Sequence, residues 1–315
     1  MSEPIAGTVP ALGRRVRVTP SMCGHSPALY ARIGDWTWDT VSELCDVDVL
    51  RASDADGDPT YLSFFYIRVR GSDDMHPHGL TFGDHLAVDS ASFDFGSESV
   101  LTLHRIALGH DVSGPAAALD LDEFYEDRRT DCLYVETMNR WIGRTVEGSN
   151  QNLKLASPPG FRHTALPRLP ARHSPRAACA NARKHGSFHN AADSGYRLVV
   201  PDLTGTHQVD LTRDLNGVGL LYFASFFAYV DSGVLDLWRA LGRDDAAFLT
   251  RKVTDVRICY FGNTDADQGL ELTSRLWAGA DPTDGELAEV VIRERSTTRV
   301  LAVAEVRLGG QGAAR

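Results

Sequence analysis

The sequence predicts an α+β protein in which antiparallel strands enclose a buried helix, and it predicts this unit twice. The first observation is the run from Val218 to Val230, which is apolar apart from Gly219, Ser225 and two tyrosines. A helix that is apolar on nearly every face is enclosed by other protein rather than lying on a surface. Strand-like segments separated by turn residues follow this run up to Leu308. A similar order of segments precedes it.

The first half supplies one helix and several strands. An alternating segment predicts the opening strand at Arg14–Thr19. A proline near the first turn, where its missing N–H is harmless, supports a helix over Pro27–Leu44. β-branched and aromatic residues predict the strands that follow, with a hairpin around Gly96: Tyr61–Arg70, His85–Phe95, Ser97–Ala107 and Leu133–Trp141.

A different composition separates the halves. The segment Ser157–Ser194 is rich in Pro, Arg, His and Ala, which predicts a solvated linker. The predicted organisation is therefore a first unit over 1–156, a linker over 157–194 and a second unit over 195–315. The linker histidines have no metal-site spacing: His163, His173, His185 and His189.

The second half repeats the pattern. Short strands at Tyr196–Pro201 and Thr206–Thr212 lead into the apolar run, and Asp214 and Asn216 precede it as helix-capping residue types. A four-strand antiparallel meander follows: Val253–Tyr260, Leu270–Ala278, Glu286–Arg295 and Arg299–Leu308. Turn landmarks recur at nearly one separation, Gly24 with Gly217 and Gly83 with Gly269, which indicates an internal duplication.

Composition bounds the class of protein. The chain has 315 residues, 43% of them hydrophobic and 23% charged, which suits two globular units. The net charge of −10 argues against a nucleic-acid surface, and a phosphorylated ligand would need a local basic patch. We expect a cytoplasmic protein, because no signal-peptide pattern or membrane span is visible. The five scattered cysteines predict buried or free thiols rather than disulfides or a metal cluster.

Four long motifs resemble a known family. They are MCGHSPALYARIGDWTWDTVSELC, PTYLSFFYIRVRGS, MHPHGLTFGDHLAVDSASFDFGSESVLTLHR and DLNGVGLLYFASFFAYVD. Together they are similar to the bifunctional acyltransferase/decarboxylase family of leinamycin-type polyketide pathways. The resemblance implies a double hot dog, that is, two fused units in each of which an antiparallel sheet wraps a long helix. It also implies decarboxylation of methylmalonyl-CoA, transfer of propionyl to an acyl carrier protein, and an active-site tyrosine.

The chemistry points to a hydrogen-bond donor. Decarboxylation of a malonyl-type thioester leaves charge on the thioester oxygen, which preorganised donors stabilise without a metal or other cofactor. Tyr66 is the first candidate and Tyr61 the second, because a hot-dog strand after the helix passes close to the thioester. A phenol with a pKa near 10 suits a donor better than a nucleophile, although the resemblance also allows an acyl-tyrosine. Glu98, at a hairpin turn, is a candidate base or orienting group.

Polar residues near the predicted helix starts and turns are candidates for binding the substrate. They are Gly24, His25, Thr81, Asn150, Asn216 and Gly217. Helix capping and turn formation alone would also explain most of them. Four arginines are candidates for the CoA phosphates: Arg68, Arg70, Arg140 and Arg144.

Two other functions remain open. A hot-dog thioesterase or dehydratase would use a carboxylate aimed at water, and Asp214 could serve. A non-catalytic acyl-thioester-binding protein would bind the same ligands without turnover. A fused double unit can act as a monomer, since each half supplies what a second subunit would, and a homodimer is also compatible with the sequence.

Overall fold

The computed structural model describes residues 7–24, 28–109, 118–188, 195–281 and 284–309. The helices are α1 (Ala28–Cys45), α2 (Leu121–Tyr125), α3 (Arg176–His185), α4 (Ser225–Ala240) and α5 (Asp245–Leu249). The strands are β1 (Thr8–Val9), β2 (Leu12–Arg17), β3 (Thr60–Arg70), β4 (His85–Asp94), β5 (Ser99–Leu108), β6 (Leu119–Asp120), β7 (Cys132–Gly143), β8 (Lys154–Leu155), β9 (Arg197–Gln208), β10 (Val253–Tyr260), β11 (Gly269–Ala278), β12 (Glu286–Glu294) and β13 (Val300–Leu308). None of the described helices is long and apolar enough to cross a membrane.

One antiparallel sheet runs through both halves in the order β2-β4-β5-β7-β3-β10-β13-β12-β11-β9, and β8 pairs with β7. Read outward from its centre, the first half has β3, β7, β5, β4 and β2, and the second has β10, β13, β12, β11 and β9. Each half also places one long helix after its first sheet strand. The same unit therefore occurs twice, as the duplicated turn landmarks predict. The halves join where Tyr66–Arg70 of β3 pairs with Asp255–Cys259 of β10.

The two faces of the sheet have different roles. Phe64, Ile67 and Val69 of β3 belong to the large apolar core that includes α1 and α4, so we call this the inner face. The helices also meet each other, since the rings of Tyr30 and Phe227 stack with centroids 3.7 Å apart. Burying one face of a sheet against helices removes its apolar surface from water and fixes the strand register. On the opposite, outer face, β1, β6 and α2 pack against the first half, and the segment between the halves packs near the centre of the sheet.

The buried helix begins later than the apolar run predicts. Residues before Ser225 form a turn instead, in which the Asn216 Oδ1 accepts hydrogen bonds from the N–H groups of Val218 (3.1 Å) and Leu220 (3.0 Å). A side chain that takes up successive backbone donors competes with helix formation. The first helix agrees closely with the prediction, since α1 ends at Cys45.

The two short strands predicted before α4 are one strand. β9 runs without a break from Arg197 to Gln208 and ends before Thr212. Pro201 lies within it, which a central strand would not tolerate. β9 is the edge strand of the sheet, and its register with β11 shifts near this proline, so the missing N–H is accommodated.

The described part of the segment predicted as a solvated linker, residues 157–188, instead packs against the sheet and α1. It contains α3, and Cys179 of α3 forms a disulfide with Cys259 of β10, their Cα atoms 6.0 Å apart. The expectation of thiols only is therefore wrong. The sequence hid the pair because 80 positions separate the two cysteines and only the fold of α3 onto β10 brings them together. The domain boundaries stay a prediction.

Candidate active site

A cavity of about 300 Å³ opens where the two halves meet, and we call it the junction cavity. The ladder between β3 and β10 stops at Tyr66, so Tyr61–Phe65 of β3 border the cavity on the first-half side. On the other side it is bordered by Asn216 and Leu220–Phe223, in the turn leading into α4, and by the end of β10. The cavity is thus built from both halves.

Aromatic side chains form the floor of the junction cavity. The rings of Phe64 and Phe223 lie 4.1 Å apart, and Trp38 of α1 meets the Phe223 ring edge-on at 5.8 Å. The Trp38 indole donates to the Leu62 carbonyl at 2.8 Å, which fixes the ring. α1 approaches this closely because Gly34 has no Cβ, and one there would overlap the Phe223 ring. Mostly apolar cavities with a few polar groups are typical of small-molecule sites.

A hydrogen-bond network positions Tyr61 at the cavity wall. Arg144 donates from Nη1 to the Tyr61 hydroxyl at 3.3 Å and from Nη2 to the Val218 carbonyl at 2.6 Å. The same Nη2 also donates to the Asn150 Oδ1 at 3.0 Å. The Asn150 amide in turn donates to the Gly219 carbonyl at 2.7 Å. The network ties the turn before α4 to β3, so Tyr61 keeps a fixed position relative to that helix.

Asn263 holds the opposite wall, and sequence reasoning missed it. Its Oδ1 accepts the Leu221 N–H at 3.0 Å and its Nδ2 donates to the Leu221 carbonyl at 2.9 Å. Arg299 donates to the Asn263 carbonyl at 2.7 Å. The only signal in the sequence was its place in a turn after a strand, which does not reveal a partner 42 positions away.

The start of α4 supplies electrostatic polarity to the junction cavity. Phe226, in the first turn of α4, lines it. The Ser225 N–H donates to the Tyr222 carbonyl at 3.0 Å and the Phe227 N–H to the Ala224 carbonyl at 3.1 Å, so α4 acts on the cavity through the positive end of its dipole. Developing negative charge on a bound oxygen would be stabilised near this end.

Tyr66, the first catalytic candidate, lies on the outer face and away from the junction cavity. It is 2% exposed, and its ring meets that of Phe188 at 6.4 Å. Burial, reinforced by the charge of Glu136, raises the pKa of the Tyr66 hydroxyl well above its ordinary value. A bulge between Phe64 and Tyr66 causes the placement, since the extra residue Phe65 takes the position at the cavity. The structure brings Tyr61, the second candidate, to the cavity instead.

Glu98 and Thr81 do not line the junction cavity. Glu98 is half-buried in the β4–β5 hairpin, where its carbonyl accepts the Trp141 N–H at 3.0 Å. Thr81 is exposed in a turn, and its N–H donates to the Asp84 carboxylate at 2.9 Å. Both placements fit local structural roles.

Of the remaining binding candidates, some lie at the junction cavity and others do not. Asn216 lines the junction cavity, and Asn150 supports it from behind. Gly217 is exposed beside Asn216, and Gly24 is exposed in a turn with φ +86°, a conformation that favours glycine. His25 lies outside the described residues.

Of the arginines predicted for phosphates, Arg140 is best placed. Arg68 is engaged by Asp255, with N–O distances of 3.0 and 2.6 Å, and Arg70 donates to a backbone carbonyl at 2.9 Å. Arg140 lines the junction cavity, its guanidinium carbon 3.6 Å from the centre of the Phe65 ring. Arg183 of α3, which sequence reasoning left in a solvated linker, also lines it.

A second cavity, of about 630 Å³, lies on the other side of Tyr222. Asp214, His207 and Tyr229 line it, and the Tyr229 hydroxyl donates to the Asp214 Oδ2 at 2.5 Å. Burial and this bond raise the pKa of Tyr229. Among the described residues, no group of three or more His, Cys, Asp or Glu side chains is placed to hold a metal ion.

Comparisons with known proteins agree with this architecture. An acyl-ACP thioesterase from Bacteroides thetaiotaomicron superposes with a TM-score of 0.55 and 9% identity, over 95% of this chain and 97% of that one. A putative oleoyl thioesterase from Lactobacillus plantarum gives 0.59 and 9%, over 96% and 97%. A 12:0-ACP thioesterase from Umbellularia californica gives 0.56 and 10%, over 95% and 96%. At such identities the likeness shows the fold, which is the expected double hot dog.

Family membership rests on the sequence itself. No curated protein sequence matches the chain. The model of one protein family, described as the LnmK N-terminal Hot Dog Fold domain, matches residues 13–190, more than half of the chain. This match confirms the resemblance on which the expected fold was based. The chain therefore belongs to the LnmK N-terminal hot dog fold domain family.

Proposed function

We propose that the protein decarboxylates a malonyl-type CoA thioester, methylmalonyl-CoA in the first instance, and transfers the resulting acyl group to an acyl carrier protein. Membership of the LnmK hot-dog family supports an acyl-thioester substrate. One observation carries the proposal further: Tyr61 and the start of α4 border the same junction cavity from opposite halves. A thioester carbonyl between them would meet a hydroxyl donor and the positive end of a helix.

Decarboxylation needs little more than such an environment. The bond between the α-carbon and the carboxylate breaks, CO₂ leaves, and the electron pair forms an enolate whose charge rests on the thioester oxygen. The carboxylate must stand out of the thioester plane for this to occur, which is a matter of positioning. The aromatic floor formed by Phe64 and Phe223 gives the acyl end a shaped, water-poor site. The enolate then takes a proton from water at its α-carbon, which gives the saturated acyl thioester and hydroxide, and the solvent neutralises the hydroxide.

Tyr61 is proposed to donate to the enolate oxygen. Its own oxygen accepts a hydrogen bond from Arg144, so its O–H proton remains available to donate. The positive charge of Arg144 lies behind the hydroxyl and favours negative charge in front of it. A donor aimed at an oxyanion contributes about 10²–10³-fold to the rate.

Transfer would follow by direct exchange of thiols. The carrier's pantetheine thiolate attacks the acyl carbon, the bond to the CoA sulfur breaks, and CoA leaves as a thiolate that takes up a proton. A covalent acyl-Tyr61 intermediate would achieve the same balance in two steps, and mass spectrometry of the quenched protein would detect it.

The test is incubation with methylmalonyl-CoA labelled in the acyl chain, with and without an acyl carrier protein bearing its pantetheine arm. We expect release of CO₂ and label on the carrier. Absence of both products would overturn the proposal. CO₂ release with label only in free acid would replace transfer by hydrolysis.

Hydrolysis is the second candidate because Asp214 lines the neighbouring cavity with His207. A carboxylate there could orient a water toward a thioester. Free-acid formation that Asp214→Asn abolishes and Tyr61→Phe leaves intact would favour this candidate.

A further inference from the structure

Positive charge gathers on one side of the junction cavity, although the chain as a whole carries a net charge of −10. Arg140 of β7 and Arg183 of α3 both line the cavity. Arg176 lies at the start of α3, seven residues before Arg183, which places the two on the same side of that helix about 10 Å apart along its axis. We call these three residues the arginine cluster.

Each member of the arginine cluster is held by an aromatic ring. The guanidinium carbons lie over ring centres as follows: Arg140 over Phe65 at 3.6 Å, Arg176 over Phe95 at 5.1 Å and Arg183 over Phe261 at 5.1 Å. Stacking uses the face of a guanidinium, so most of its in-plane N–H groups stay free to donate. Arg176 uses one of them on the Phe95 carbonyl, at 2.7 Å.

Among the described residues, the positive charges of the arginine cluster have no carboxylate paired with them. No described carboxylate forms an ion pair with any of its three members, whereas neighbouring Arg162 and Arg168 pair with Asp46 and Asp94. Burial, and then the charges of Arg176 and Arg183, lower the pKa of Arg140. The charge of Glu98, on the β4–β5 hairpin, acts in the opposite direction but more weakly. Three like charges held together in this way favour binding of a multivalent anion.

We propose that Arg140, Arg176 and Arg183 bind the phosphate of a 4′-phosphopantetheine arm whose thioester end occupies the junction cavity. Arginine is well suited to phosphate because its planar N–H groups match two phosphate oxygens at once. CoA and a carrier protein that bears its pantetheine arm share this phosphate, so the cluster can bind either of them, one at a time. The inference rests on the proposed function for the identity of the ligand.

A disulfide holds α3 beside the junction cavity. Cys179 lies between Arg176 and Arg183 on α3, and its disulfide to Cys259 fixes the helix to the central strand β10. The tether therefore positions two of the three cluster members.

The experiment measures binding by calorimetry with CoA, 4′-phosphopantetheine and pantetheine, the last having no phosphate. We compare the wild-type protein with Arg140→Gln, Arg183→Gln and the matched control Lys184→Gln, which changes the next exposed cation of α3. Arg183→Gln is the primary variant because its side chain is exposed, and thermal melting checks that each variant folds. We expect Arg183→Gln to weaken CoA about tenfold, as loss of a charged hydrogen bond does. Pantetheine binding and the control should not change.

Comparison of the three ligands shows which part of CoA the arginine cluster binds. Equal losses for CoA and 4′-phosphopantetheine assign the cluster to the shared phosphate. A loss for CoA alone would move the site to the nucleotide end and overturn the assignment. Unchanged CoA affinity in a folded Arg183→Gln, equal weakening of pantetheine, or no CoA binding by the wild-type protein would also overturn it. Binding needs no turnover, so this result is independent of whether decarboxylation occurs.

Discussion

The two halves share one topology, yet their central strands end differently at the junction. β3 begins at Thr60 but pairs with β10 only from Tyr66, which leaves the space of the junction cavity beside its first residues. β10 pairs with β3 along most of its length, and the Gly71 N–H continues the contact to the Thr254 carbonyl at 2.8 Å. Because the unit is duplicated, the junction between β3 and β10 has two related ends. β3 extends beyond the ladder at one of them, and the cavity opens there.

On the inner face of the sheet, the two ends of the junction also differ in how much space the side chains leave. Near the paired end of the junction the stacked rings of Tyr30 and Phe227 fill the space, and the cavity that remains there measures about 10 Å³. Near the open end the cavity measures about 300 Å³. Among the described residues, room for an acyl chain at the junction therefore exists at the β3 end.

The largest expected effect tests this asymmetry with two hydroxyl deletions. Tyr61→Phe removes the proposed donor at the open end and should lower the decarboxylation rate about 10²–10³-fold. Tyr66→Phe, on the covered outer face of the same strand, should change it less than about threefold, because this hydroxyl does not face the cavity. Single-turnover CO₂ release measures both. The comparison would fail if the second variant lost as much activity as the first.

The next effect concerns the covered face of β10. Cys179→Ala removes the disulfide and should lower the free energy of unfolding by about 2–4 kcal/mol, since the crosslink closes a long loop. Urea unfolding with and without reductant measures the loss. Reductant should destabilise the wild-type protein by a similar amount and leave Cys179→Ala unchanged. Equal stability of the oxidised and reduced wild-type proteins would contradict the tether.

A smaller effect probes the floor of the open cavity. Gly34→Ala places a methyl group against the Phe223 ring, which Phe64 and Trp38 already hold. Overpacking outweighs the gain in helix propensity, so we expect a net loss of roughly 1–2 kcal/mol in urea unfolding.

Gly160→Ala is the matched control for that change. No heavy atom lies within 4 Å of a Cβ placed at Gly160, so the free energy of unfolding of Gly160→Ala should match that of the wild-type protein. If Gly34→Ala proved as stable as this control, the close approach of α1 to the cavity floor would be wrong.

The smallest effect compares equivalent positions on the outer face. In the second half, Glu305 of β13 forms an ion pair with Arg257 of β10, its cross-strand neighbour. In the first half, the corresponding neighbours are Glu136 of β7 and Arg68 of β3, but Arg68 pairs with Asp255. Glu136 instead accepts a hydrogen bond from the Tyr125 hydroxyl. Burial raises the pKa of Glu136 from 4.5 to about 6. A carboxyl whose pKa is raised on folding stabilises the fold fully below pH 4.5, and this contribution is lost as pH rises through 6.

Glu136→Gln removes that dependence. Between pH 4.5 and pH 7 the wild-type protein should lose on the order of 1 kcal/mol of stability relative to the variant. Denaturant unfolding at the two pH values measures the difference. A wild-type protein that gained stability relative to Glu136→Gln over this range would show the opposite sign and refute the raised pKa.

Much of the site was predictable only as a set of candidates. Asn216 and Tyr61 stood out as a capping residue type and a strand tyrosine, and both reach the junction cavity. Tyr66 ranked higher because it lies within the most strand-like stretch, but that pattern does not reveal a bulge, and one extra residue turns every later side chain to the other face. Arg183 and Asn263 depend on contacts between segments far apart in the chain, which local patterns do not encode.

The sequence by itself determined the repeated α+β unit, the positions of the long strands and the existence of a buried helix in each half. Those features follow from hydrophobic periodicity and turn residues, which act over a few positions. Tertiary structure alone decided that β3 outruns its ladder with β10, that α3 covers the outer face through Cys179 and Cys259, and that a cavity forms between the halves. These depend on pairing across 80 or more positions, where the packing of the whole fold, rather than any local preference, sets the lowest free energy.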